Sequence, residues 1–325
     1  MSQVTYRQAI TRGMADAMEA DERVFLLGED VGAAGGAFKV SDGLFERFGP
    51  QRVRDTPISE QAIVGAAIGA AIRGLRPMAE IMFADFAGVC FDGIANELAK
   101  YRYMTGGQVT LPVTIRLGNG AGAGFGAQHS QSCENWFLNV PGLKIVVPAT
   151  PADAYGLMRA AVADDDPVLF FEHKHLYNAR GELDDAPEPV AIGQALVVRP
   201  GDDVTIVATQ AMRLQAEQAA ETLAQDGISA EVIDPRTVLP LDVATVMESV
   251  GRTRRVVVAQ ESPPDGSWGA SLVARICAEG FEWLDAPPLL LSADETPVPY
   301  ADDLERLWMP DAERIVAATR RTVEF

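Results

Sequence analysis

Short β-branched and aliphatic runs alternate with amphipathic stretches along the whole chain. The runs Val24–Gly28, Pro77–Met82, Val113–Leu117, Lys144–Pro148 and Val168–Glu172 predict a first set of strands. A second set is predicted at Asp203–Thr209, Ala230–Ile233, Arg255–Gln260 and Pro288–Leu291. Helical periodicity fills the intervals at Tyr6–Glu19, Gln61–Arg73, Phe91–Met104 and Pro151–Ala163, then at Ala211–Gln225, Val243–Val250, Gly269–Glu279 and Asp311–Thr322. Strands that read as almost unbroken apolar runs belong in parallel sheets covered on both faces. The fold class is therefore α/β, twice over. Between the two sets, residues 177–194 are acidic, contain proline and lack periodicity, as an interdomain linker does. The boundary falls near residue 190, with domains drawn as 1–188 and 189–325.

Length agrees with two domains, since 325 residues exceed the ~250–300 at which a single core stops growing. With 48% hydrophobic and 22% charged residues the chain is not largely disordered. Asp and Glu total 46 against 27 Lys and Arg, a net charge of -19. That balance repels nucleic acid and anionic membrane surfaces and suits a basic protein partner. Cys90, Cys133 and Cys277 are dispersed and odd in number, which argues for a reducing compartment and against a disulfide framework or a structural zinc site. No signal peptide is evident at the N-terminus, and the apolar stretch QAIVGAAIGAAI is too short to span a bilayer. The expected location is cytoplasmic.

Three segments carry candidate chemistry. Gly118–Gly126 (GNGAGAGFG) follows a predicted strand, but it lacks the Lys-Ser/Thr of a phosphate loop and fits a dinucleotide fingerprint only loosely. A tightly packed loop is the plainer reading. His129, in AQHSQ, lies among small and polar residues, where acid/base work and simple hydrogen bonding both stay open. Cys133 reads as a packing residue, and His173 with His175 lack a third metal ligand. Glu60, in DTPISEQ, opens a predicted helix, where the macrodipole alone favours a carboxylate. It also lies where the carboxyl ends of parallel strands open, the usual ligand position in this class. Met82, Phe83 and Phe86 follow at a strand-to-helix junction, as core or as a stacking platform.

Taken in order, RVFLLGEDVG, RVRDTPISEQAIVGAAIGAAIRGLRPMAEIMFADF, YMTGG, GAQHSQSCENWFLNVPGLKIVVPATPADAYGL and DDDPVLFFEHKHLY resemble the beta subunit of thiamine diphosphate-dependent 2-oxo acid dehydrogenases of the pyruvate, branched-chain and acetoin type. DPRTVLPLD, SWGA and DAPPLLLSADETPVPY extend the resemblance through the second half. It implies a pyrimidine-binding domain followed by a transketolase C-terminal-like domain. Glu60 matches the glutamate that hydrogen-bonds N1′ of the cofactor's aminopyrimidine, which activates the thiazolium carbon for attack on the 2-oxo acid. Phe86 matches the aromatic that stacks on the pyrimidine, with Ile58 and Met82 as neighbours. His129 matches an active-site histidine that moves a proton or orients the substrate and the lipoyl group. The resemblance further implies a structural potassium ion held by backbone carbonyls of Val113, Ala161, Val162 and Asp164, with Asp166 standing where some relatives have Asn.

One motif is absent. These enzymes hold diphosphate through Mg²⁺ with a G-D-G motif followed by Asn, and this chain has SDG, FDG and PDG but no GDG. The implied arrangement is an α₂β₂ heterotetramer whose alpha subunit brings Mg²⁺ and the diphosphate contacts. An acyltransferase core is expected to dock through a basic subunit-binding domain on an acidic surface, with Asp294, Glu295 and the carboxylate of Phe325 as contributors. The rivals are a split transketolase-like half that uses an aldehyde acceptor, an autonomous nicotinamide-binding oxidoreductase built on the glycine loop, and a binding-only scaffold.

Overall fold

The computed structural model describes residues 2–185, 187 and 189–325. Met1, Ala186 and Glu188 lie outside the described residues, so the last position of the first domain as drawn above is among them. The chain divides into two compact units. One comprises residues 1–119 and 136–192, the other residues 120–135 and 193–325.

In the first unit the strands lie in the order Lys144–Val146, Val168–His173, Thr114–Asn119, Arg76–Ile81, Val24–Gly28, Val53–Asp55, every pairing parallel. Val24–Gly28, Thr114–Asn119 and Val168–His173 are buried along their whole length, as strands covered on both faces must be. Helices Tyr6–Ala20 and Pro151–Ala163 pack against each other. Gly13 permits the close approach, since a Cβ there would lie 3.1 Å from the Met158 Cβ. Thr5 and Gln8 form a capping box on the first helix, and Thr150 caps the second with Pro151 in its first turn. Ser2–Thr5 pairs antiparallel with Arg180–Leu183.

The predicted helix Phe91–Met104 is not continuous. The backbone takes a wider turn over Gly93–Leu98, with the Ala99 N–H donating to Ile94 O at 3.1 Å, and only Tyr101–Met104 is a regular helix. Gly93 lacks the side chain that would hold it away from Val64, and Phe91 is drawn onto Phe137, their rings stacked at 5.1 Å.

The second unit has a five-stranded sheet in the order Leu289–Leu291, Val256–Ala259, Val204–Ala208, Ala230–Asp234, Leu196–Arg199. Its pairings are parallel except that of the edge strand Leu196–Arg199. Helices Gln210–Gln225, Val243–Thr253, Trp268–Gly280 and Ala312–Val323 supply its amphipathic cover. Among the described residues no helix is long and apolar enough to cross a membrane.

Candidate active site

In the first unit Val53–Asp55, Val24–Gly28 and Arg76–Ile81 are sheet neighbours and end side by side. Their carboxyl ends lead directly into Thr56–Glu60, Glu29 and Met82–Phe86. Glu60 opens the helix Glu60–Ile72, where the helix macrodipole favours a negative charge. It is 7% exposed, and among the described residues no side chain or amide donates a hydrogen bond to its carboxylate. Its surroundings are negative. Glu29, itself buried, has its carboxyl pushed above the ordinary range by burial and then by the charges of Glu60, Asp30 and Glu80. The Cys90 thiol is pushed up to about 12 by burial and by the charge of Glu60.

Ile58, two residues before Glu60, is 83% exposed. Met82 and Phe86 are half-buried. Phe86 meets Phe83 edge-on at 5.6 Å, and Phe83 meets Phe38 edge-on at 5.5 Å. Glu60, Ile58, Met82 and Phe86 thus share one edge of one sheet.

Behind that edge lies a closed ionic cluster. The Arg116 guanidinium grips Glu172 through Nε at 2.6 Å and a terminal nitrogen at 3.0 Å, and reaches Glu80 at 2.5 Å. The Tyr177 hydroxyl donates to Glu172 at 2.9 Å. Lys174 Nζ donates to Gly118 O at 3.3 Å and lies 5.8 Å from the Phe83 ring. Burial works against the Arg116 charge, but Glu172 and Glu80 outweigh it and hold the guanidinium pKa above its ordinary value. Burial raises the Glu80 carboxyl despite Arg116, and burial with the Glu172 charge raises the Tyr177 hydroxyl well above its usual range.

His129 belongs to the second unit, on the segment 120–135. It is half-buried, and its backbone N–H donates to Gly126 O at 3.3 Å. Cys133 is buried, its Sγ 3.7 Å from Gln131 O.

The implied potassium ligands are already engaged. Val162 O accepts from Arg76 Nε at 2.9 Å, Asp164 O from the same guanidinium at 2.8 Å, Val113 O from Val168 N–H at 3.0 Å and Ala161 O from Asp164 N–H at 3.3 Å. Lys144 Nζ lies 2.7 Å from both Asp164 carboxylate oxygens and 3.4 Å from Asp166, which also pairs with Arg102. Arg76 and Lys144 supply the positive charge here, so the set as arranged does not fit a further cation, and no step is derived through one. Among the described residues no group of three or more His, Cys, Asp or Glu could hold a metal ion.

Sequence reasoning did not single out Glu29, although a carboxylate ending the apolar run in FLLGED was a usable signal. Nothing local marked Arg116, whose partners lie 36 and 56 residues away.

This arrangement is that of a two-domain transketolase fold. The transketolase pyrimidine binding domain matches residues 2–180 and the transketolase C-terminal domain matches residues 193–315. The chain is 45% identical over 323 residues to the pyruvate dehydrogenase E1 component subunit beta-2 of Oryza sativa, covering 98% of this chain and 86% of that protein. It is 44% identical to the beta subunit of the acetoin:2,6-dichlorophenolindophenol oxidoreductase of Bacillus subtilis, covering 97% and 96%. The 2-oxoisovalerate dehydrogenase subunit beta of the same organism is 45% identical, with all of both chains covered. A split gene transketolase, solved as an inactive beta4 tetramer, superposes with a TM-score of 0.82 at 25% identity, covering 99% of this chain and 98% of that one. The chain belongs to the family of beta subunits of 2-oxo acid and acetoin dehydrogenases, built on the two transketolase domains.

Proposed function

We propose that the chain is the beta subunit of an α₂β₂ enzyme that decarboxylates a pyruvate-like 2-oxo acid or cleaves acetoin and transfers the acyl group to a lipoyl domain. One observation carries this reading. Glu60 is a buried residue whose carboxylate has no hydrogen-bond donor among the described residues, at the carboxyl edge of the sheet in a pyrimidine-binding domain. Such a carboxylate is left open to accept a hydrogen bond from a ligand.

The residues fit the aminopyrimidine end of thiamine diphosphate. Glu60 would hold a proton between its carboxylate and the ring nitrogen, Phe86 would cover the ring face, and Ile58 and Met82 would flank it. When bound, thiamine diphosphate supplies the carbon nucleophile and the electron sink of the decarboxylation. The helix start at Glu60 orients the carboxylate. His129 moves a proton or orients the incoming acceptor. With no GDG in the chain, Mg²⁺ and the diphosphate are assigned to an alpha subunit. The acidic second unit, with exposed Asp294 and Glu295, would meet the basic subunit-binding domain of an acyltransferase core. A cytoplasmic setting accords with three free thiols, one of them exposed.

The neighbouring split gene transketolase favours one second reading, two-carbon transfer to an aldehyde. Co-expression with an alpha subunit separates the two. Lipoyl-domain acylation from pyruvate, a branched-chain 2-oxo acid or acetoin is expected, without transfer to an aldehyde acceptor. Aldehyde transfer with no lipoyl acylation would reverse the assignment. The chain alone is expected to bind thiamine diphosphate weakly even with Mg²⁺, and tight calorimetric binding would overturn the division of the site between subunits.

A further inference from the structure

From Gly120 to Gly126 every second residue is a glycine in the left-handed region, with φ of +83° at Gly120, +84° at Gly122, +73° at Gly124 and +69° at Gly126. Backbone turned this way gathers neighbouring N–H groups into a concavity that binds anions. Here the concavity is filled from within the second unit. The Ala121 N–H donates to Glu261 Oε1 at 2.5 Å, and the Gly122 and Gly124 N–H groups donate to the two carboxylate oxygens of Glu305 at 2.8 and 3.1 Å. Glu305 is 4% exposed and Glu261 8%. Trp308, on the same helix Asp302–Trp308 as Glu305, packs with Ala121, Ala293 and Val298, and its indole N–H donates to Thr296 O at 3.1 Å. The far end of the segment is tied as well, Asn135 Oδ1 accepting from the Trp268 N–H at 2.9 Å.

We propose that Glu305, seconded by Glu261, is a positioning residue for His129. The two carboxylates fix the glycine loop, and the loop fixes the turn from Gly126 O to the His129 N–H. A carboxylate suits the task because it is negative and offers an acceptor to each of two amides. A carboxamide can serve only one of them, since its NH₂ confronts the other. The glycines therefore serve an internal anion, which explains a phosphate-like loop with no Lys-Ser/Thr after it. The inference rests on the active-site reading of His129.

The test uses the full chain assembled with its alpha subunit, assayed with the best of pyruvate, a branched-chain 2-oxo acid and acetoin. Amide exchange across residues 120–135 is measured in parallel. Glu305→Gln is expected to speed exchange in that segment and to lower kcat on the order of tenfold, the loss of about one charge-assisted hydrogen bond. Glu305→Asp should restore part of both. The double variant His129→Ala with Glu305→Gln should be no slower than His129→Ala alone, because residues acting through one another are not additive. Glu261→Ala, which removes the acceptor of the Ala121 amide, should repeat the pattern at smaller amplitude and supplies the answer if Glu305→Gln does not assemble. Additive losses, or a normal kcat in Glu305→Gln, would overturn the proposal while leaving His129 in the active site. Normal turnover in His129→Ala would sink it together with the reading of His129, and faster exchange in Glu305→Gln would then show that the clamp exists and the histidine reading is what failed.

Discussion

The first unit buries carboxylates in two ways. Glu172 and Glu80 share the Arg116 guanidinium, and Tyr177 takes one further lone pair, so the cluster is complete within the chain. Glu60 is about as deeply buried as Glu80 and has no such donor among the described residues. Its neighbours are instead Glu29 and the uncharged thiol of Cys90. The cluster around Arg116 withdraws negative charge from water at a cost of several kcal/mol before compensation. Where the compensation is built in, the carboxylates serve the fold. Where it is missing, the site is left open for a partner molecule, so burial identifies a functional acid only together with its open hydrogen bonding.

The sharpest way to break this comparison is to exchange the outcomes. Glu60→Gln should leave folding intact and lower turnover of the assembled enzyme about 10²–10⁴-fold, the usual range for loss of a positioned acid/base group. Near-normal turnover would place Glu60 with the structural carboxylates. Arg116→Met should do the reverse, costing about 3–5 kcal/mol in denaturant melts because Glu80 and Glu172 are left buried and uncompensated. A melt unchanged from the parent protein would show that the cluster is not what holds this edge of the sheet. The smallest effect concerns Glu29. Its carboxyl is raised in the folded state, so its contribution to stability is present below the ordinary carboxylate range and is lost as pH rises through the raised value. Glu29→Gln should therefore stabilise the protein at pH 8 and not at pH 4. Equal effects at both pH values would mean that Glu29 does not carry that buried charge.

Apolar periodicity made the two α/β units legible, because strands buried on both faces leave long runs such as VFLLG and VLFFEH that few other structures produce. The short edge strand Val53–Asp55 escaped, having one buried residue and no run to show. The helix Phe91–Met104 was overdrawn because its apolar spacing is helical while the packing of Gly93 against Val64 widens the turn. Glu60 and Phe86 could be picked out by their motif context. Arg116, Glu261 and Glu305 could not, since each acts through partners dozens of residues away that only the folded chain brings near.

The state of the three thiols has a practical consequence. Cys90 and Cys133 are enclosed, and the former is held so far from its thiolate that alkylating reagents have almost no nucleophile to meet. Cys277 stands exposed on the helix Trp268–Gly280. The native chain therefore carries a single natural attachment point for a fluorophore or spin label, on the transketolase C-terminal domain and away from Glu60 in sequence. Motions of that domain can be followed without engineering away any other cysteine.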